Sequence, residues 1–181
     1  MIRSHIKSFF PLNGNVHIAV GRAGNVIGGG DWANDRIVPD CVRSWAKNET
    51  VQLRNPQATR PWQHVLEPLS GYLTLAKSLH EKSELHGEPF NFGPPAYQNH
   101  SVQELVQTMS KHWEQVQWNE VSDMGEQNYE SGLLKLNCDK ALYHLHWQAV
   151  LPFQTAVRMT AEWYRSYCDD SITIGDVTFS Q

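Results

Sequence analysis

The stretch Val16-His-Ile-Ala-Val-Gly-Arg-Ala-Gly-Asn-Val-Ile-Gly-Gly-Gly-Asp-Trp32 decides which fold to expect. Its first part, Val16–Gly21, alternates in polarity and is rich in β-branched residues, which predicts a buried strand. A glycine-rich loop follows from Gly24 to Asp35, because glycines at this density end regular structure. The rest of the chain can be placed on either side of this strand and its loop.

Helices and short strands alternate outward from that point. Residues 2–10 read as the end of a helix, and the tail from Asp169 is expected to be loose. In a helix beginning at Pro68, one apolar face carries Leu69, Tyr72, Leu73, Ala76 and Leu79. Further helices are predicted at 39–47, from a capping box at Ser101, at 137–144 and at 153–168, and further strands at Val51–Arg54, Phe90–Phe92, Val116–Glu120 and Leu133–Leu136.

This order of elements predicts an α/β fold. The first strand follows a helix that has no strand before it, so the chain is expected to be the later part of an α/β protein. The 181 residues hold 15 Lys and Arg against 19 Asp and Glu, and 40% are hydrophobic. Such a chain can bury a core, and its acidic balance argues against binding to a nucleic-acid backbone.

Membrane, secretion and metal functions also lack support in the sequence. No apolar run approaches the roughly 18 residues that span a bilayer, and residues 1–7 form no secretory signal. The three cysteines are far apart and suit a reducing cytoplasm. The nine histidines have no cysteine or carboxylate at the spacing of a metal site, and no cysteine pairs with a histidine as a catalytic nucleophile.

The glycines at 21, 24, 28, 29 and 30 do not form a dinucleotide fingerprint. Their spacing is wrong, no helix begins directly after them, and no acidic residue ends a strand about 20 residues later. Such a cluster instead allows the backbone to pass close to a ligand or to another chain segment.

Two long blocks, Arg22–Trp32 and Arg54–Leu69, carry a specific family resemblance, supported by Arg36-Ile-Val-Pro39 and Asn91-Phe-Gly-Pro94. From about residue 16 to residue 168 the chain resembles the C-terminal half of the CDP-glucose 4,6-dehydratases. These are extended short-chain dehydrogenases/reductases with a Rossmann-type NAD(P)-binding fold and a small α/β substrate-binding domain. The resemblance implies that 1–168 forms the C-terminal portion of that fold and 169–181 a flexible tail.

The reaction that the resemblance implies is the conversion of CDP-glucose to CDP-4-keto-6-deoxyglucose and water, with NAD as cofactor. Such enzymes supply deoxysugars for the O-antigen of lipopolysaccharide. Their Tyr-x-x-x-Lys pair is not found here, because none of the six tyrosines has a lysine four positions later. Their glycine-rich cofactor loop is not found either. We therefore expect no catalytic residue in this chain and no turnover by the chain alone.

The resemblance also implies substrate contacts. Asn25 corresponds to a donor to the sugar-side phosphate, Arg60 to the arginine that grips the diphosphate, and Arg36 to the start of the segment over the nucleotide. Arg54 is a phosphate ligand or a surface cation. Glu130 binds ribose or is an exposed carboxylate, and Tyr129 stands where a histidine is expected. Toward the cofactor we expect Arg22 and Ala23, whereas Trp62 is a core indole or stacks on the base.

Three functions stay open at this point. The chain is the nucleotide-sugar-binding part of a CDP-glucose 4,6-dehydratase-like lyase, part of another nucleotide-sugar dehydratase or epimerase, or a non-catalytic binding or subunit-pairing module. The expected partner is a nucleotide sugar, and neither nucleic acid nor membrane is expected. Formation of a homodimer and pairing with a separate N-terminal half are both open.

Overall fold

The computed structural model describes residues 2–113, 116–120, 132–169 and 173–181. The helices are α1 (Ile2–Phe9), α2 (Ile37–Trp45), α3 (Leu66–Glu81), α4 (Val102–Ser110), α5 (Asp139–Leu145), α6 (Phe153–Tyr167) and α7 (Ile174–Ser180). The strands are β1 (Val20–Ala23), β2 (Val26–Ile27), β3 (Val51–Leu53), β4 (Thr59–Arg60), β5 (Gln63–His64), β6 (Pro89–Phe92), β7 (His100–Ser101) and β8 (Trp118–Glu120).

The strands pair two by two. β1 pairs with β6, β2 with β5 and β3 with β8, all parallel, whereas β4 and β7 are antiparallel. Parallel strands joined by helices confirm the predicted α/β class. The predicted strand Leu133–Leu136 is wrong, because Leu133 forms only an isolated bridge to Thr59. The strand predicted at Val16–Gly21 begins later, at Val20, where the pairing with Pro89 of β6 starts.

Two hydrophobic clusters hold the elements together. The larger one packs α2, β3, α4 and α6 around Trp45, Leu105 and Tyr164, and the smaller one packs α3 and α5 against Phe90 and Phe92 of β6. The glycine-rich loop lies against the larger cluster, where Gly29 packs directly on Trp163 of α6.

Helix α3 buries a side that lies next to its predicted apolar face, and of that face Leu79 packs against the smaller cluster. Its buried residues are Glu67, Pro68, Gly71 and Leu75. Leu69 and Leu73, from the apolar face that the periodicity predicts, are 48% and 74% exposed. Glycine at position 71 explains the choice, because a Cβ there would lie only 2.3 Å from the ring of Phe92. The helix thus approaches the sheet more closely along Gly71 than its leucines would permit.

Two predictions concern helix ends: the capping box of α4 is confirmed, and the C-terminal segment differs from its prediction. The capping box is confirmed, because Ser101 Oγ accepts the Glu104 N–H at 3.1 Å and the Glu104 carboxylate accepts the Ser101 N–H. Where a loose tail is predicted after Asp169, the structure has α7. Trp163 Nε1 donates to Thr178 Oγ1 at 2.8 Å, so this short helix is held against α6.

Candidate functional site

A cleft of about 650 Å³ lies where the chain leaves β1 and β2. Parallel α/β sheets bind ligands at this edge, beyond the carboxyl ends of their strands. The cleft is walled by the end of β1, the glycine-rich loop, the first residues of α2, the end of β4, the first residue of α4 and the segment before α5. Its lining residues are Ala23, Gly24, Asn25, Val26, Ile27, Gly28, Asp31, Asp35, Arg36, Ile37, Val38, Pro39, Arg60, Trp62, Val102, Leu134 and Leu136.

The glycine-rich loop is held in place by aromatic side chains of α6. A Cβ at Gly29 would lie 2.0 Å from the Trp163 ring, so only glycine fits there. The Trp32 ring packs against Tyr164 and Tyr167 with centroids 5.2 and 5.0 Å apart. The cluster therefore serves a close approach to another chain segment, which is one of the two roles that the spacing predicts.

Two cations approach the cleft in different environments. Arg60, at the end of β4, is only 7% exposed and donates from Nη1 to the carbonyl of Thr59 at 2.9 Å. The Arg36 side chain is 62% exposed and stands at the N-terminus of α2. Buried guanidinium groups recognise phosphates well because their fork of donors is rigid. Arg60 thus offers a fixed donor and Arg36 an adjustable one.

Asp31 neutralises the exposed cation. Its Oδ2 lies 3.0 Å from Arg36 Nη1, and its backbone carbonyl accepts a hydrogen bond from the Tyr164 hydroxyl. Burial chiefly, and the negative charge of Asp31 second, raise the pKa of Tyr164 to about 12. The hydroxyl therefore stays protonated, and keeps donating to the loop, above the pH at which an ordinary tyrosine ionises.

Asn25 stands between the two strands that form the cleft floor. It belongs to the turn between β1 and β2, and its backbone carbonyl accepts a hydrogen bond of 3.0 Å from the N–H of Gln63 in β5. This bond fixes the backbone of the turn and brings Asn25 to the cleft lining. Trp62 is a core residue that borders the cleft, because it is only 6% exposed, lines the cleft wall and donates from Nε1 to the His100 carbonyl at 3.0 Å.

The structure gathers some of the predicted site residues and leaves others apart. Asn25, Arg36, Arg60 and Ala23 line the cleft. Arg22 and Arg54 are exposed and do not line it. Arg22 stands next to Gly21, whose side of the strand faces α3, so alternation directs Arg22 to the opposite face. Arg54 follows β3, which pairs with β8 in another sheet.

The remaining predicted site residues cannot be sorted into those that line the cleft and those that do not. Glu130 and Tyr129 lie outside the described residues. The sequence analysis missed Asp31 and Asp35, although both precede Arg36 by five residues or fewer and line the cleft. Asp35 has a left-handed φ of 60°, which is uncommon for a residue other than glycine. Two acids close to an arginine before a helix were the signal that could have found them.

Within the ranges that the structure describes, no cluster of three or more potential metal-binding side chains occurs. Across the same ranges, none of the helices is both long and apolar enough to cross a membrane.

The sequence is similar to a curated protein and to several solved structures. No protein-family model matches it. It is 40% identical over 166 residues to the CDP-glucose 4,6-dehydratase of Salmonella typhimurium, covering 89% of this chain and 46% of the relative. The chain thus spans about half the length of the curated relative that it matches.

Solved structures agree on the fold. A UDP-glucose-4-epimerase from Stenotrophomonas maltophila with bound NAD and formylated UDP-arabinopyranose superposes with a TM-score of 0.76 at 19% identity, over 93% of this chain and 53% of that one. The dTDP-glucose 4,6-dehydratase of Bacillus anthracis in complex with NAD gives a TM-score of 0.65 at 15% identity, over 91% and 48%. The UDP-glucose 4-epimerase of Thermotoga maritima with UDP-glucose gives 0.70 at 17%, over 91% and 51%.

At such low identity the solved structures establish the fold, which is the one found in about half of each nucleotide-sugar epimerase or dehydratase chain. The curated relative adds the sequence relationship at 40% identity. The chain is therefore a homologue of part of a CDP-glucose 4,6-dehydratase, and it shares the Rossmann-type fold of the solved nucleotide-sugar epimerases and dehydratases.

Proposed function

We propose that this chain is the nucleotide-sugar-binding part of a CDP-glucose 4,6-dehydratase-like lyase. One observation carries the proposal. The cleft brings together Asn25, Arg36 and Arg60, three residues that come from separate parts of the sequence, in a chain that is 40% identical to a CDP-glucose 4,6-dehydratase.

Three side chains of the cleft can each bind a different part of a nucleoside diphosphate sugar. Arg60 is buried in the cleft wall and can hold one phosphate in a fixed position. Arg36 is exposed and can swing from Asp31 to the second phosphate. Asn25 can donate its side-chain amide to the phosphate nearest the sugar. Charge-assisted contacts of this kind contribute about 1.5–3 kcal/mol each, so two of them supply about 3–6 kcal/mol of the roughly 8 kcal/mol that micromolar affinity requires.

The described residues do not by themselves fit NAD. Of the two residues expected at the cofactor, Ala23 lines the cleft and Arg22 does not. The loop from Gly28 to Gly30 leads through turns to α2 at Ile37, so in the described ranges no glycine turn opens directly into a helix that could hold a pyrophosphate. We therefore assign this chain a binding role and derive no step of hydride transfer from it.

A calorimetric titration of the purified chain tests the proposal. CDP-glucose is expected to saturate the chain and to bind more tightly than dTDP-glucose or UDP-glucose. Arg36→Ala is expected to weaken binding about 10-fold, from the lower end of the range for charge-assisted contacts, because Arg36 is exposed. Arg54→Ala is the matched control, since Arg54 is an exposed arginine outside the cleft, and it should change affinity less than 2-fold.

Three results would count against the proposal. No saturation by any of the three nucleotide sugars contradicts a binding role for the chain. A preference for UDP-glucose supports the epimerase-like alternative. Formation of CDP-4-keto-6-deoxyglucose by the pure chain with NAD, followed by mass spectrometry, contradicts the assignment of a binding part alone.

A further inference from the structure

Arg36 is an exposed cation that is nevertheless held in place. Its side chain is 62% exposed, and an exposed arginine normally samples many rotamers, so fixing it on a ligand costs entropy. Here Nη1 of Arg36 lies 3.0 Å from Oδ2 of Asp31. The other carboxylate oxygen, Oδ1, accepts the N–H of Ala33 at 3.0 Å, and this bond fixes the direction of the carboxylate. The position of Arg36 at the cleft therefore depends on the position of the Asp31 backbone.

The backbone of Asp31 is anchored in the hydrophobic core. The Tyr164 hydroxyl donates a hydrogen bond to the Asp31 carbonyl, although the two residues are 133 positions apart in the sequence. Tyr164 lies on α6, is completely buried and belongs to the larger hydrophobic cluster. Close packing holds a buried ring in one rotamer, so the hydroxyl is a fixed point in the molecule. A chain of hydrogen bonds thus runs from the core through Asp31 to Arg36.

The rest of this loop, which we call the rim loop (31–35), is tethered in the same way. The carbonyls of its second and third residues accept hydrogen bonds of 3.0 and 3.3 Å from the guanidinium of Arg43 in α2. Three consecutive carbonyls of the rim loop are thus bonded to side chains that do not line the cleft. At the end of the loop, Asp35 has its left-handed φ of 60°, and such a conformation persists where surrounding contacts hold it. The tethers therefore set the path by which the chain reaches Arg36.

We infer that Tyr164 is a positioning residue for the binding of a phosphate group by Arg36. The inference rests on the proposed function, because it concerns the same cleft and the same nucleoside diphosphate sugar. The hydroxyl of Tyr164 holds the Asp31 backbone, and the Asp31 carboxylate then holds Arg36 at the cleft before any ligand arrives. The ligand consequently meets a cation whose freedom is already restricted. This role differs from that of the Asp31 charge, because the hydroxyl is bonded to the backbone carbonyl of Asp31.

Tyr164→Phe tests the inference, because it removes the hydroxyl and keeps the buried ring. In a calorimetric titration with CDP-glucose, the variant is expected to bind about 3- to 5-fold more weakly, within the range for the loss of one hydrogen bond. The same substitution is then made in a chain that already carries Arg36→Ala. There it should change affinity by less than about 1.5-fold, because residues of one network couple and the positioned group is absent. General damage to the fold would weaken binding in both backgrounds.

Tyr167→Phe is the matched control. Tyr167 lies on the same helix and packs on the same Trp32 ring, with centroids 5.0 Å apart, but its hydroxyl is not among the donors to the rim loop. This variant should bind CDP-glucose as the unchanged chain does. A second readout needs no ligand: in hydrogen exchange, the Ala33 amide should exchange about 5-fold faster in Tyr164→Phe and at the parent rate in Tyr167→Phe. Circular dichroism of both variants should match that of the parent, because the rings remain.

Four outcomes would overturn the inference. They are equal affinity of Tyr164→Phe and the parent, equal weakening with and without Arg36, unchanged exchange of the Ala33 amide, and equal weakening by Tyr167→Phe. The second would assign Tyr164 a purely structural role, and the last would assign the effect to aromatic packing. If the unchanged chain binds no nucleotide sugar, the proposed function fails and this inference fails with it. That failure is recognised by faster Ala33 exchange in Tyr164→Phe without any binding to the parent chain.

Discussion

Replacing Asp31 with asparagine is expected to strengthen the binding of a nucleoside diphosphate sugar. Asp31 Oδ2 lies 3.0 Å from Arg36 Nη1, so a phosphate on the other side of that guanidinium would lie about 6 Å from the carboxylate. Two unit charges at that distance in water repel each other by about 0.7 kcal/mol, and a diphosphate with two charges doubles the figure. Screening at physiological salt roughly halves it again. Asp31→Asn should therefore tighten binding about 3- to 10-fold.

The assay is the calorimetric titration with CDP-glucose, performed at low and at physiological salt. The matched control is Asp40→Asn, which removes a carboxylate from the Asp40–Arg43 pair of α2 outside the cleft and should leave affinity unchanged. For Asp31→Asn the free energy of unfolding should fall by less than about 1 kcal/mol, because the side chains of the Arg36–Asp31 pair are 62% and 33% exposed.

A second readout needs no ligand. Because Asp31 is the lesser of the two causes that raise the pKa of Tyr164 to about 12, Asp31→Asn should lower that pKa, and burial should still hold it above the ordinary value. Ultraviolet absorbance during alkaline titration measures the change. Weaker binding by Asp31→Asn would refute the reasoning, because Asp31 would then contact the ligand itself. Equal affinity at both salt concentrations would place the diphosphate far from Arg36.

Three further predictions concern stability. One carboxylate oxygen of the buried Glu67 accepts the backbone N–H groups of residues 150–151. In urea unfolding, Glu67→Ala should therefore lower the free energy of unfolding by about 3 kcal/mol, and Glu67→Gln, which keeps an acceptor, by about half as much. Equal losses of stability in the two variants would contradict this reasoning. Burial lowers the pKa of His64, so stability should fall as the pH drops below about 6.5, where only the unfolded chain gains the proton. His64→Asn should flatten that slope in thermal melts. A methyl group at Gly29 would meet an indole of α6 at 2.0 Å, so Gly29→Ala should cost about 1–3 kcal/mol, whereas Gly132→Ala, with open space around it, should be nearly neutral.

Local signals predicted the parts of the fold that depend on neighbouring residues. The capping box at Ser101 is one example, because both of its hydrogen bonds join residues three apart in sequence. The family resemblance added Asn25, Arg36 and Arg60, which the cleft unites although β4 stands far along the chain from the glycine-rich loop. The spacing of these residues in the sequence does not predict that they meet in one cleft, because their meeting depends on how four short sheets pack.

Asp31 escaped prediction for the same physical reason. Its place in the cleft follows from the path of the loop, and that path is set by contacts with α6, more than a hundred residues later. Arg54 shows the reverse case. It stands in a long block that resembles the family, but the two-stranded sheet of β3 and β8 carries it away from the cleft. A resemblance along a segment therefore transfers the fold more securely than it transfers the role of each side chain.

The apolar face of α3 is the prediction whose failure says most about the molecule. Periodicity identifies a stripe that water disfavours, and it does not identify what covers the stripe. The structure buries Glu67, Gly71 and Leu75 in place of the predicted face, because Gly71 allows the backbone to approach Phe92 and the Glu67 carboxylate finds two donors. The leucines are then left for a surface that the described residues do not provide. A helix with two faces suited to packing belongs between two layers, and only one of those layers is formed by this chain's described residues.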